Sequence, residues 1–170
     1  LFEQLGRYLK QLHQNTSQNV DEIKIFEQGM PGYIKTISQM FPEYKGHIES
    51  FFLPYKKVLS NLQSVYRHDD LYYGNILIKN QQINGIIDWA DLSLGDPEYD
   101  IATIYIQNQH MLKPFLEGYG SYNIQLLTFG ILTRLTWMIC EDANNNSAEL
   151  TKHIKLFKQL ITNPSNSLLS

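Results

Sequence analysis

Residues 67–102, RHDDLYYGNILIKNQQINGIIDWADLSLGDPEYDIA, set acidic side chains, a histidine and an asparagine around two short apolar runs. His68 and Asp70 are two apart, Asn75 follows Asp70 by five, and Asp88 comes 13 residues after Asn75. Buried acids are costly unless they are paired or hold a cation. These are therefore either hydrogen-bonded loop acids or acids that hold a metal and do chemistry. H-x-D-x-x-x-x-N followed by a further aspartate contains the parts that phosphoryl transfer from ATP needs. One carboxylate accepts the proton of an attacking hydroxyl, while a carboxamide and a second carboxylate hold Mg²⁺ against the phosphates. Hard Mg²⁺ takes few, oxygen-only protein ligands, which Asn and Asp supply.

The elements that must position these groups are legible in outline. NILI and INGII, joined by KNQQ, read as a β-hairpin that folds the chain back so that Asn75 and Asp88 can reach one metal. SVYRHDDL before it is short and β-flavoured. GDPEYDIATIYI after it reads as a turn running into a helix, with Asp96 as N-cap and Pro97 at the first helical position. Residues 1–14 form an amphipathic helix with Leu1, Phe2, Leu5, Leu9 and Leu12 at helical spacing. NTSQNVDE is a polar loop and GMPGY (29–33) a turn. YIKTISQMF and KGHIESFFLPYKKVLSNL are helical, the second broken near Pro54. KPFLEGYG is a short helix ended by its glycines, YNIQLLTFGILTRLTWMICEDA a long buried helix, and NNNSAELTKHIKLFKQLI a last helix entered through Asn146 or Ser147. NPSNSLLS is a tail. The expected fold class is α+β, mostly helical, with one small hairpin.

Composition is that of a globular chain: 170 residues, 43% hydrophobic and 18% charged, enough for one domain with an adequate core. A net charge of −3 and a pI of about 5.9 give no nucleic-acid footprint. The most apolar segment, LLTFGILTRLTWMIC, is too short to span a membrane and contains Arg134. The single cysteine, Cys140, forms no internal disulfide, so it is expected as a buried thiol in a cytoplasmic protein. Asp69, Asp91 and Asp96 read as turn formers, Glu98 and Glu117 as structural acids. His13, His47, His110 and His153 share no ligand spacing and read as surface or helix residues. Glu141 and Asp142 end the long helix, where the dipole disfavours acids, and are candidates for binding substrate ammonium groups.

HDDLYYGNILI, IIDWADLSLGDPEYDIA and LFEQLGRYLKQLH together resemble the aminoglycoside phosphotransferase family of protein-kinase-like small-molecule kinases, over residues 1 to about 106. The resemblance implies the C-terminal lobe of a kinase-like fold, with the hairpin carrying the catalytic and metal-binding segments. It implies Asp70 as catalytic base, Asn75 and Asp88 as Mg²⁺ ligands, and His68 as a brace for the metal-binding segment. Asp100 would tie down the catalytic-loop backbone. Tyr72 and Tyr73 stand where relatives often carry a histidine or serine and a proline, and are packing or substrate-platform residues. The implied partners are ATP or GTP and a small-molecule hydroxyl. Aminoglycoside antibiotics lead as substrate, with macrolides, choline-like alcohols and sugar derivatives as rivals, and antibiotic resistance is the implied role.

Neither a G-x-G-x-x-G loop nor a V-A-I-K-like strand occurs in the sequence, and the chain opens directly in a helix at Leu1. The expectation is a C-terminal lobe over 1–170, with 163–170 as tail, whose N-terminal ATP-cradling lobe is missing. Such a piece would be inactive by itself and self-associate through uncovered apolar surface near Leu1, Phe2 and the hairpin. The rival reading is a non-catalytic kinase-like binding module.

Overall fold

The computed structural model describes residues 1–14, 20–60, 62, 64–164 and 168; residues 15–19 of the polar loop and most of the tail lie outside it. The chain divides into two compact units. One joins Leu1–Val20 to Leu62–Leu127, and the other joins Asp21–Asn61 to Thr128–Ser170. The architecture is α+β and mostly helical with a β-hairpin, as expected from the sequence, and a second small antiparallel sheet, β1 with β4, adds to it.

The first unit holds helix α1 (Phe2–Gln14), four short strands, helices α5 (Glu98–Gln107) and α6 (Leu112–Tyr119), and the start of α7 (Ile124–Asn145). Strands β2 (Ile76–Lys79) and β3 (Gln82–Ile86) form the hairpin, with Ile76 opposite Ile86 and Lys79 opposite Gln82. The turn is therefore Asn80–Gln81 alone, shorter than the KNQQ linker. Both residues have positive φ, 52° and 62°, the mirror-image turn that matches strand twist. Strand β1 (Val65–Arg67) pairs with β4 (Ser93–Gly95), with Arg67 opposite Ser93. The sequence showed β1 but not β4, because Val-Tyr in β1 carries β-forming side chains and Ser-Leu-Gly in β4 carries none.

Helices α1 and α6 meet through two glycines. A Cβ on Gly6 would lie 2.1 Å from the Phe115 carbonyl oxygen, and one on Gly118 would lie 1.9 Å from that of Glu3. The two backbones are therefore in contact. Gly120, at φ +93°, ends α6 in a conformation open to glycine.

The second unit contains α2 (Glu22–Met40), α3 (Lys45–Phe52), α4 (Tyr55–Leu59), α8 (Leu150–Thr162) and most of α7. Asp21 caps α2, accepting the Lys24 N–H at 3.0 Å. The turn expected at 29–33 does not exist, for α2 runs through Gly29, Pro31 and Gly32 without interruption. Burial of Phe26, Met30 and Ile37 along one face overrides the local punctuation. Pro54 does break its helix, separating α3 from α4. Phe26, Phe51, Phe52 and Phe129 pack as a ring cluster, with centroids 5.2–6.2 Å apart. Helix α8 starts at Leu150, later than Asn146 or Ser147. The Ser147 hydroxyl accepts the Glu149 N–H instead. Cys140 is buried, as expected.

The glycine contact yields a sign test. Alanine in a helix ordinarily stabilises relative to glycine, by about 1 kcal/mol. Gly6→Ala and Gly118→Ala should instead destabilise by about 1–3 kcal/mol through overpacking, read as a lower denaturant midpoint. A gain in stability would show that the helices can separate freely.

Candidate active site

The segment from His68 to Asn75 leaves β1 and enters β2, and its shape is imposed by one carboxylate. Asp100, fully buried in the first turn of α5, accepts the backbone N–H of His68 at 2.9 Å through Oδ2. Its Oδ1 accepts that of Asp69 at 3.0 Å. Asp69 lies in the left-handed region, φ +61°, which aspartate tolerates better than most residues. Its side chain is fixed by an ion pair with Arg67, Nε to Oδ1 at 2.9 Å, and by the Ser93 hydroxyl. The Arg67 guanidinium also covers the Tyr99 ring at 4.7 Å. Asp69 is thus a structural turn residue, as the sequence indicated.

His68 joins the loop to the segment before Asp88. Its Nε2 lies 2.9 Å from the Ile87 carbonyl oxygen, and the Asp70 N–H lies 3.3 Å from its Nδ1. Both contacts are satisfied by the tautomer that carries hydrogen on Nε2, which assigns it. The ring packs on Trp89 with centroids 4.5 Å apart. The Ile87 N–H in turn donates to the Asn75 carbonyl oxygen at 2.9 Å. Ile87 is therefore held at both backbone groups, and Asp88 follows it directly at φ +63°. A second left-handed aspartate in one site is strain that the surrounding hydrogen bonds hold in place. Asp88 is exposed, and among the described residues nothing engages its carboxylate.

Asp70 and Asn75 touch. The Asn75 Nδ2 donates to the Asp70 carbonyl oxygen at 2.8 Å and to its Oδ2 at 2.9 Å. Both amide hydrogens are then used, and among the described residues Asn75 Oδ1 and Asp70 Oδ1 are left uncommitted. A carboxamide oxygen with its amide end pinned, one residue-pair away from an unpartnered aspartate, suits an oxygen-seeking cation that keeps other oxygen ligands. No group of three His, Cys, Asp or Glu side chains converges as a metal site among the described residues. One Asn and one Asp do not require such a group.

Other contacts were not legible in the sequence. Gln107, the last residue of α5, donates from Nε2 to the Leu71 carbonyl and accepts the Tyr73 N–H at Oε1, both at 2.9 Å. Tyr72 is half-buried. Tyr73 is exposed and meets Phe2 edge-on at 5.7 Å. His13, read as a surface or helix residue, is helical but buried, with Nε2 3.3 Å from Asp100 Oδ2 and Nδ1 2.8 Å from the Tyr119 hydroxyl. A signal existed: Leu5, Leu9 and His13 lie four apart on the buried stripe of α1.

Asp96 accepts the Glu98 N–H at 3.0 Å, the N-cap bond expected of it, although Pro97 precedes the helix rather than opening it. Glu98 is buried and accepts the Asn123 N–H at 2.7 Å. Burial, followed by the hydrogen bond with Glu98, raises the Asp96 carboxyl well above the usual range.

In the second unit Glu141 accepts the Tyr33 hydroxyl at 3.3 Å, and Asp142 Oδ2 lies 2.6 Å from Nδ1 of the buried His153. Both acids lie in the last turns of α7, which continues to Asn145. Each already has a partner, so binding an ammonium group there would mean sharing it.

Residues 41–129, about half the chain, match the family model of the phosphotransferase enzyme family. Solved structures share the fold at low identity. A spectinomycin phosphotransferase complexed with ADP and spectinomycin is 21% identical at a TM-score of 0.52, covering 94% of this chain and 60% of that one. The GDP complex of aminoglycoside 2′-phosphotransferase-IIIa is 15% identical at 0.63, covering 96% and 63%. ADP-bound aminoglycoside phosphotransferase APH(2″)-Ib is 19% identical at 0.62, covering 95% and 62%. This chain thus spans about three fifths of the length of these relatives. No curated protein matches it.

The raised Asp96 carboxyl gives a pH dependence of definite sign. A carboxyl whose folded value lies above its unfolded one contributes stability in acid, and that contribution is lost as pH rises through the folded value. Asp96→Asn keeps the acceptor for the Glu98 N–H and stays neutral. From about pH 4, the ordinary aspartate range, upward, the wild type should lose stability relative to Asp96→Asn in parallel melting curves. Equal pH slopes would refute this.

Proposed function

The chain belongs to the phosphotransferase enzyme family, and from that premise we propose that it is the C-terminal catalytic lobe of a small-molecule kinase that transfers phosphoryl from ATP or GTP to a hydroxyl. The observation that carries this reading is the double hydrogen bond from Asn75 to Asp70, beside a backbone that ties Ile87 to both His68 and Asn75. Asp70, through its uncommitted Oδ1, would orient the acceptor hydroxyl and take its proton. Asn75 Oδ1 and the Asp88 carboxylate would hold Mg²⁺, which when bound supplies charge neutralisation at the transferred phosphoryl group. His68 would keep Asp88 in register with the loop, and Asp100 would keep the loop itself.

Aminoglycosides are the leading substrate class. Support comes from the structural relatives, whose complexes include spectinomycin and gentamicin. Tyr73, exposed within the loop, would be the one of the two tyrosines to touch substrate; Tyr72 is half-buried. A cytoplasmic setting agrees with the single cysteine being a buried free thiol. Antibiotic resistance would be the biological consequence.

In the protein as its source cell makes it, Asp70→Ala should lower kcat by about 10²–10⁴-fold. Asn75→Ala and Asp88→Ala should raise the Mg²⁺ concentration needed for half-maximal rate. Full activity of Asp70→Ala would sink the assignment. The 170-residue chain alone lacks a glycine-rich phosphate loop, so it should turn over no substrate; robust turnover abolished by Asp70→Ala would contradict that. Leu77, Ile78, Ile87, Trp89 and Leu92 are exposed around the hairpin, an apolar strip that favours self-association. Sedimentation should show oligomers at high concentration, and a strict monomer would count against this.

A further inference from the structure

We propose that Tyr119 is a positioning residue for the His68–Asn75 loop, acting through the His13 imidazole and the Asp100 carboxylate. The proposal rests on the catalytic reading of that loop, but its test needs no phosphotransfer.

The contacts form an unbroken line across four segments. The Tyr119 hydroxyl on α6 lies 2.8 Å from His13 Nδ1 on α1, and His13 Nε2 lies 3.3 Å from Asp100 Oδ2 on α5. Asp100 then accepts the His68 and Asp69 N–H groups at 2.9 and 3.0 Å. His13, Asp100 and Tyr119 are all buried, so water does not substitute for a missing partner.

Hydrogen-bond chemistry orders this line. The Asp100 carboxylate, already accepting two backbone N–H groups, offers the imidazole only an acceptor. The facing nitrogen, Nε2, must therefore carry the hydrogen, and Nδ1 is left with a lone pair. The Tyr119 hydroxyl donates to that lone pair. Burial, then the charges of Glu98, Asp100 and Asp96, push the phenol above its ordinary range, so it remains a donor. Without the hydroxyl, Nδ1 would be a buried acceptor with no donor. The opposite tautomer would answer that need only by turning a lone pair toward the carboxylate. The hydroxyl thus selects the one tautomer that can hold Asp100 against the loop. The glycine contact between α1 and α6 brings the two side chains into reach, since a Cβ on Gly6 would lie 2.7 Å from the Tyr119 backbone nitrogen.

The test uses this chain labelled with ¹⁵N, as wild type, Tyr119→Phe, His13→Gln and the double variant. Long-range imidazole correlations report the His13 tautomer, and amide exchange reports the His68 and Asp69 N–H groups. Wild type should show the Nε2–H form. Tyr119→Phe should lose that single form, and the two loop amides should exchange about tenfold faster, the size of one buried hydrogen bond. Glutamine at 13 can donate to Asp100 without help from Tyr119, so adding Tyr119→Phe to His13→Gln should leave both amides nearly unchanged. Three outcomes would overturn the proposal. These are an imidazolium or Nδ1–H pattern in wild type, unchanged loop amides in Tyr119→Phe, or equal acceleration of the Ile104 amide within α5, which would mean general loosening. Failure here would leave the assignment of Asp70 untouched, and failure of the phosphotransfer assay would leave this line of contacts untouched.

Discussion

Asp100 has given up all contact with water, and the hydrogen bonds that replace it are what give the neighbouring loop its shape. A buried carboxylate without partners would be among the most expensive groups a small unit could contain. Here its two oxygens take two consecutive backbone N–H groups and an imidazole N–H. The arrangement is reciprocal. Two backbone donors that a left-handed residue at 69 keeps out of any strand ladder find acceptors, and the carboxylate finds donors. Neither side is affordable without the other.

From that anchor the order spreads outward. The loop backbone places His68, whose ring fixes the carbonyl of Ile87, while Asn75 fixes its N–H. Gln107 clips the middle of the loop at Leu71 and Tyr73. Every backbone group named here is committed, yet among the described residues nothing engages Asp70 Oδ1, Asn75 Oδ1 or the Asp88 carboxylate. Rigid support behind free oxygen atoms is the pattern expected where charge must be met without reorganisation.

The sequence disclosed the chemical groups far better than their supports. His68, Asp70, Asn75 and Asp88 stood out because type and spacing together are rarely accidental. The hairpin stood out because alternation is local. Pro54 announced a break because its ring forbids the helix bond. GMPGY misled for the opposite reason: glycine and proline mark turns only where packing is indifferent, and burial of Met30 between Phe26 and Ile37 was not indifferent. The pairing of β1 with β4 and the clip by Gln107 depend on residues far apart in the chain. Single-sequence patterns carry no record of such contacts. His13 is the intermediate case. Its place on the apolar stripe of α1 was readable, but the lack of any ligand spacing left it as a surface or helix residue, and its burial went unread.

That difference has a physical origin. A motif such as H-x-D-x-x-x-x-N is contiguous because one loop must present its groups together. The loop has no periodic hydrogen bonding of its own, however, and left to itself would sample many conformations. Its order is borrowed from positions 13, 100 and 119, on three different helices, and two of those helices, α1 and α6, meet as they do because glycines at 6 and 118 let their backbones touch. The candidate reactive groups are therefore a local property of the chain, and their geometry is a tertiary one. A substitution at a glycine or at a buried tyrosine, remote from any substrate in sequence, acts on the same few ångströms of backbone as one at the loop itself.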